Sequence, residues 1–166
     1  SGISPLSKQE EGKLVLFLMV FFLYLLGPMQ EAVLAAGPDL IMTAVSPNAA
    51  TVNAGTTLSV DNTVENQGAI SSGGFGIAFH LSTDAVYGGG DDVVIPVTRS
   101  LKSLAAGTSN PATTGLKIPK TAAGNYYICA KADSTSKVIE TDEANNTRCS
   151  ASQVTVPRPD LIMTAL

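Results

Sequence analysis

Apolar and polar residues alternate with a period of two through most of the chain after residue 37. "TTLSVDNTVENQG" places Leu58, Val60, Asn62 and Val64 on one side of an extended segment and stops at Asn66-Gln67-Gly68. "GFGIAFHLSTD" places Phe75, Ile77, Phe79 and Leu81 on one face, with Gly76, Ala78 and His80 on the other. Such alternation is the signature of a strand with one buried face. "PDLIMTAVSPNAATVNAG" predicts two short strands around a Ser-Pro-Asn turn. "GGGDD" turns the chain and "VVIPVTRSLKSL" returns. Pro96 in that return predicts an edge strand or a bulge, because proline has no N–H for a ladder. "AAGTSNP" reads as a further turn; "TTGLKIPKT", "NYYICAKAD", "KVIE" and "TRCSASQVTV" read as strands, with "TDEANN" as a loop. Short strands at close spacing, separated by turn signals, predict an antiparallel β-sandwich rather than βαβ units, with about seven strands in two sheets.

The start of the chain has a different pattern. Residues 14–26, "LVLFLMVFFLYLL", are thirteen apolar positions without a charge, preceded by Lys8 and Lys13 and followed by Gly27-Pro28. Val33 and Ala35 then stand at the −3 and −1 positions of a cut between Ala35 and Ala36. A positive flank, a short apolar helix, a breaker and a small-residue site are the parts of a secretory signal peptide. Thirteen helical residues span about 20 Å, short of the ~30 Å hydrocarbon core. Residues 1–36 are therefore expected to be a signal peptide or membrane-anchor region, the only route by which this chain would meet a membrane. The acidic pair Glu10-Glu11 is atypical of a signal's first region.

Composition narrows the classes further. Charged residues are 14% of the chain, Trp is absent and the net charge is −4. With no cluster of Lys and Arg, nucleic acid is not an expected partner.

"PDLIMTAV" at 38–45 returns as "PDLIMTAL" at 159–166, 121 residues later. Self-similarity at a fixed offset marks repeats, and this offset suits a whole small domain rather than a solenoid unit. The expected organisation is a sandwich over 37–157, then a linker and the first strand of a second repeat over 158–166, within a longer tandem array. Pro157 and Pro159 would stiffen the joint.

"PDL", "VENQG", "FHLSTD", "SLAAGTSN", "GNYYICAKAD" and "VIETDEANNTR", spread over 38–156, together resemble the CARDB domain, the cell-adhesion-related module of bacterial surface and secreted proteins. The resemblance implies an immunoglobulin-like or fibronectin-like sandwich, often in tandem, on extracellular proteins. It carries no binding residues with it.

The two cysteines are Cys129 and Cys149. In "YYICAKA" the inward set is expected to be Tyr126, Ile128 and Ala130, and in "TRCSASQVTV" Ser152, Val154 and Val156. Both cysteines then face outward on neighbouring strands, within reach of each other. Export makes a disulfide the expected state. Free thiols and a Cys–His site with His80, the only histidine, are the alternatives.

No nucleophile elbow, zinc-protease helix, phosphate loop or dinucleotide fingerprint occurs. His80 is expected to be a solvated surface residue. Asp84, Asp91 and Asp92 flank "VYGGG", while Glu140, Asp142, Glu143, Asn145 and Asn146 crowd "ETDEANN". Loop oxygens at a sandwich end are what calcium uses, but Asp and Asn also form turns by bonding to nearby backbone. Turn chemistry is the favoured reading and calcium the weaker one. Asn145-Asn146-Thr147 is a formal glycosylation sequon. The chain is expected to be a non-catalytic extracellular structural or adhesion module of a bacterial surface or secreted protein. Its expected partners are neighbouring repeats and a protein or cell-surface ligand. The alternative is a ligand- or carbohydrate-binding accessory module of a secreted enzyme; only Tyr87 and Tyr127 offer outward aromatics for a sugar.

Overall fold

The computed structural model describes residues 36–158. The expected signal helix, Ala35 and the second copy of the repeated phrase lie outside them. The described residues form eight strands and no helix: β1 (Leu40–Pro47), β2 (Thr57–Asn66), β3 (Phe75–Ser82), β4 (Val93–Leu101), β5 (Thr108–Lys117), β6 (Gly124–Lys131), β7 (Thr147–Cys149) and β8 (Val154–Val156). One sheet has the order β1-β2-β5; the other runs β4-β3-β6-β7, with β8 also paired to β6. All the strand pairs are antiparallel.

The alternation read from the sequence is what builds the core. Leu58, Val60 and Val64 from β2 meet Phe75, Ile77 and Phe79 from β3 in one buried cluster. β1 shows how a period of two survives an interruption. Its register with β2 slips between Met42 and Ala44, leaving Thr43 as the extra residue of a bulge. Leu40 and Met42 point inward before the bulge and Val45 after it, so all three are buried despite the change of parity. Pro96 has both properties expected of it. β4 is an edge strand, and its register with β3 jumps from Ala78↔Thr98 to Phe79↔Ile95, placing Pro96 and Val97 in the bulge.

Asn62 keeps the inward parity of β2 and is 1% exposed. Its Nδ2 donates to Val60 O and Thr114 Oγ1, and its Oδ1 accepts from Arg99 Nη1 at 2.9 Å. Arg99 also donates to the carbonyl and the side-chain oxygen of Asn110. Arg99 comes from the opposite sheet, so this polar cluster ties β4 to β2 and β5 where the sandwich edge would otherwise open. Burial pushes the guanidinium pKa down from its ordinary value.

Four strand expectations are corrected. "TVNAG" forms no second strand; Thr51 makes a single parallel bridge to Thr155, because Val52 N donates to Thr155 O while Gly55 N donates to Ile118 O, so no one neighbour runs alongside the segment. "TSNP" lies inside β5 rather than in a turn, since Thr108–Pro111 pair with Asn66–Thr63 and Pro111 can occupy an edge strand. "KVIE" is not a strand: Val138 N donates to Asp133 Oδ2 and Glu140 N to Glu143 Oε1, so its backbone bonds go to side chains. "TRCSASQVTV" divides into β7 and β8, which places Ser152 in the exposed connection and buries Ser150 instead. Ser150 Oγ accepts from Ile128 N and donates to Ser152 O across that break.

Candidate functional site

Three groups of side chains carry the chemistry singled out in the sequence. The first is on the outer face of the larger sheet. Register aligns Val94, His80, Cys129 and Cys149 in one row across β4, β3, β6 and β7. Cys129 and Cys149 are joined, with Cα atoms 3.9 Å apart and 20 residues between them in sequence. Their neighbours Ile128–Ser150 and Ala132–Asn146 are backbone-bonded, so the cysteines form a non-hydrogen-bonded pair, where side chains lie closest. The inward set of β6 is as expected: Ile128 and Ala130 are in the core and Tyr126 packs against it. Cys129 is on the other face, yet it is fully buried. Cys149 is half-buried. A pair of serines at 129 and 149 should lower stability by about 3 kcal/mol, the loop-closure value for a short loop. Non-reducing peptide mapping of exported protein should find both cysteines in one linked fragment; two alkylatable thiols in that protein would contradict the bond.

His80 is not the freely solvated residue expected. Its Nδ1 is 3.0 Å from Asp92 Oδ2, and Tyr87 OH is 3.3 Å from Nε2. The Tyr87 ring stacks on the imidazole at 4.4 Å between centroids. A carboxylate can only accept, so Nδ1 carries a proton, and Nε2 can then accept from Tyr87. Burial, and secondarily the Asp92 charge, raise the Tyr87 pKa. Asp92 Oδ2 also accepts from Gly88 N at 2.7 Å. The physical reason is cross-chain: the 83–92 loop folds back over His80 and covers the face that alternation assigns to solvent.

The second group is the rest of that loop. Asp84 Oδ1 accepts from Ser82 Oγ and Val86 N. Asp91 Oδ2 accepts from Thr83 N at 2.8 Å, from Thr83 Oγ1 and from Ser82 Oγ. Those bonds, the Thr83 hydroxyl first, hold the Asp91 carboxyl down at about 2. Both aspartates thus bond to nearby backbone as turn formers do.

The third group joins three of the quoted motifs at one end of the sandwich. Asn66, at the end of "VEN", is fully buried. Its Nδ2 donates to Ile70 O and Leu104 O, and its Oδ1 accepts from Asp39 N and Gly68 N. Gly68 lies against the "GPD" backbone: a Cβ there would sit 2.4 Å from Gly37 O and 2.6 Å from Asp39 N. From the other side, Glu140 accepts from Leu40 N and, at 2.7 Å, from Asn146 Nδ2. Asn145 Nδ2 donates to Asp39 Oδ1, and Thr141 N donates to Pro38 O. Asp142 Oδ1 accepts from Ala144 N within the loop. Burial, ahead of the opposing bonds from Leu40 and Asn146, pushes the Glu140 carboxyl up to about 6. The "ETDEANN" loop therefore clasps the entrance of β1.

Asp84, Asp91 and Asp92 share one loop, and Glu140 and Asp142 another, so the five weak calcium candidates fall into two separate places. Sequence reasoning missed Asn66 and Asp133 as determinants of the second place. Asn66 was marked by its inward parity in β2, which flags a polar residue in a buried row.

No curated protein sequence matches the chain at a significant level. Among solved structures, the chain is similar to the CARDB domain of a Pyrococcus furiosus protein determined in complex with di-metal ions: 20% identity, TM-score 0.53, covering 74% of this chain and 96% of that one. It is also similar to a domain of a protein assigned to the cell surface of Methanosarcina acetivorans, at 27% identity and TM-score 0.51, over 72% and 91% of the two chains. A β-glucosidase from Erythrobacter marinus shares the fold at 14% identity and TM-score 0.50, with the match covering 72% of this chain and 15% of the enzyme. The CARDB family model matches residues 37–150, which take in the clasp, the disulfide and every strand but β8, and the chain belongs to the CARDB family of non-catalytic, adhesion-related modules.

Proposed function

We propose that this domain is an extracellular structural or adhesion module, one unit of a tandem array on a bacterial surface or secreted protein. The observation that carries the reading is the repeated phrase. Its first copy is β1, which buries Leu40 and Met42 in this domain's own core. A second copy with the same alternation suits the entry strand of a following unit. The module's role is mechanical: a disulfide between adjacent strands limits opening of the sheet, and a proline-flanked joint holds the next unit at a distance. Neighbouring repeats are its first partners, and a protein or cell-surface ligand is the second.

Export is the test. Expressed in a secreting bacterium with an added initiator Met, the chain should be recovered outside the cytoplasm with an intact mass that begins at Ala36. Recovery in the membrane fraction with residues 14–26 still attached would overturn cleavage and make the protein an anchored one.

The runner-up is a carbohydrate-binding accessory module of a secreted enzyme. The Tyr87 ring over His80, with Tyr127 on the same strand face as Cys129, is the observation that favours it. Titration with soluble oligosaccharides, followed through the Tyr87 and Tyr127 ring resonances, should leave them unmoved on the leading reading and shift them on this one.

A further inference from the structure

We infer that the corner between the 132–138 turn and the 140–146 loop binds a calcium ion through Asp133, Asn145 and Asn146. Asp133 and Asn146 are each 1% exposed. Asp133 Oδ1, Asn145 Oδ1 and Asn146 Oδ1 are buried oxygens with no hydrogen-bond partner among the described residues. The other polar atom of each side chain is committed, which fixes the group. Asp133 Oδ2 accepts from Val138 N, Asn145 Nδ2 donates to Asp39 Oδ1, and Asn146 Nδ2 donates to Glu140 Oε1.

The backbone brings the three together. Ala132 N donates to Asn146 O at 2.9 Å, which sets Asp133 beside the Asn145-Asn146 pair where β6 leaves the sheet. Asp133 holds a positive φ of 41°, a conformation that Asp and Asn adopt more readily than most residues. A buried carboxylate oxygen or amide oxygen without a donor costs about 1–3 kcal/mol. Three such acceptors in one corner, with no donor among them, create a site of one electrostatic sign. Glu140 and Glu143 add negative charge on the same loop, and the Glu140 carboxyl senses both Glu143 and Asp133.

The donor set identifies the ion. Carboxylate and amide oxygens without nitrogen or sulfur select a hard cation. Calcium accepts irregular geometry and completes its shell with carbonyls and water, whereas magnesium demands a near-octahedral set. No three carboxylate, imidazole or thiol side chains converge as a metal site among the described residues. One carboxylate with two amides therefore gives weak binding, in the roughly 10⁻⁴–10⁻³ M range of extracellular calcium modules. Such a site fills outside the cell and empties inside it. Its occupancy would rigidify the loop that holds Leu40 N, and so the entrance of β1.

The full chain, exported and chelator-treated, is melted with and without 10 mM calcium chloride, with magnesium chloride as comparator. Calcium should raise Tm by roughly 5 °C and magnesium by much less. Asp133→Asn keeps the shape and removes the charge, and should abolish the rise; Asn145→Ala should reduce it if Asp133→Asn does not fold. Asp142→Asn, on an exposed residue of the same loop, should leave it intact. An unchanged Tm for the wild-type chain would overturn the inference. So would a full calcium response in Asp133→Asn or Asn145→Ala, which would move the ion to another place such as the 83–92 loop.

Discussion

Deletion of residues 38–45 should abolish the cooperative thermal transition, whereas deletion of 159–166 should move Tm by less than about 2 °C. The first segment supplies six of the eight residues of β1. Leu40, Met42 and Val45 are buried there, at about 1.5–3 kcal/mol each. The same segment pairs with β2 from Leu40↔Asn66 to Val45↔Asn62 and anchors Asn66 and Asn145 through Asp39. Losing it opens one edge of β2 and takes one hydrogen-bond partner each from Asn66 and Glu140, namely Asp39 N and Leu40 N. Against a total stability of about 5–15 kcal/mol for a domain of this size, that loss is decisive. Ordering a strand costs about 1–2 kcal/mol per residue, which only burial offsets. The second copy can offset it by burial only in the domain it enters. Both truncated chains can be followed by circular dichroism on heating. A large loss on removing 159–166 would mean that this copy completes a sandwich here, in its own chain or by exchange into a neighbour. That result would remove the main support for a tandem array.

The contrast between β2 and the 132–146 region explains what the sequence could and could not reveal. In β2, β3 and β6 each side chain's fate follows from strand parity, and Leu58, Ile77 and Ile128 are buried where alternation puts them. Parity also placed both cysteines on one face of adjacent strands, which is enough to foresee the bond. It failed where a loop folds back onto a sheet. His80 and Cys129 have outward parity, but the 83–92 loop supplies Tyr87 and Asp92 to His80. It failed again where backbone bonds go to side chains. "KVIE" has the composition of a strand, yet Asp133 and Glu143 take its N–H groups before a ladder can. Bulges mislead in a milder way, because Thr43 shifts the inward set of β1 by one residue without any marker as visible as Pro96. The motifs "PDL", "VENQG" and "ETDEANN" were legible as words, but their meaning lies in contacts across 27 to 106 residues of sequence. Such long-range clasps have no local signature.

Replacing Asn66 should produce the largest loss of any single substitution in the clasp, and the order of two variants checks the reason. Asn66 uses both amide protons and both directions of its oxygen, on Ile70 O, Leu104 O, Asp39 N and Gly68 N. Asn66→Ala leaves two carbonyls and two N–H groups without that partner at a fully buried position. At about 1–3 kcal/mol per stranded group, with some rescued by water, a loss of about 3–5 kcal/mol is expected. Asn66→Asp has nearly the same shape but brings a second oxygen to two carbonyl oxygens and buries a charge. It should therefore be worse than Asn66→Ala at pH 7. Its deficit should shrink on acidification, because protonation restores one donor. In linkage terms the buried Asp has a folded pKa above its unfolded value, so protons favour the folded state and stability falls as pH rises between the two. Urea unfolding at pH 4 and pH 7 measures both effects. A loss under about 1 kcal/mol in Asn66→Ala would show that the corner is held by packing alone. An Asp variant as stable as wild type at pH 7 would show that water reaches the site.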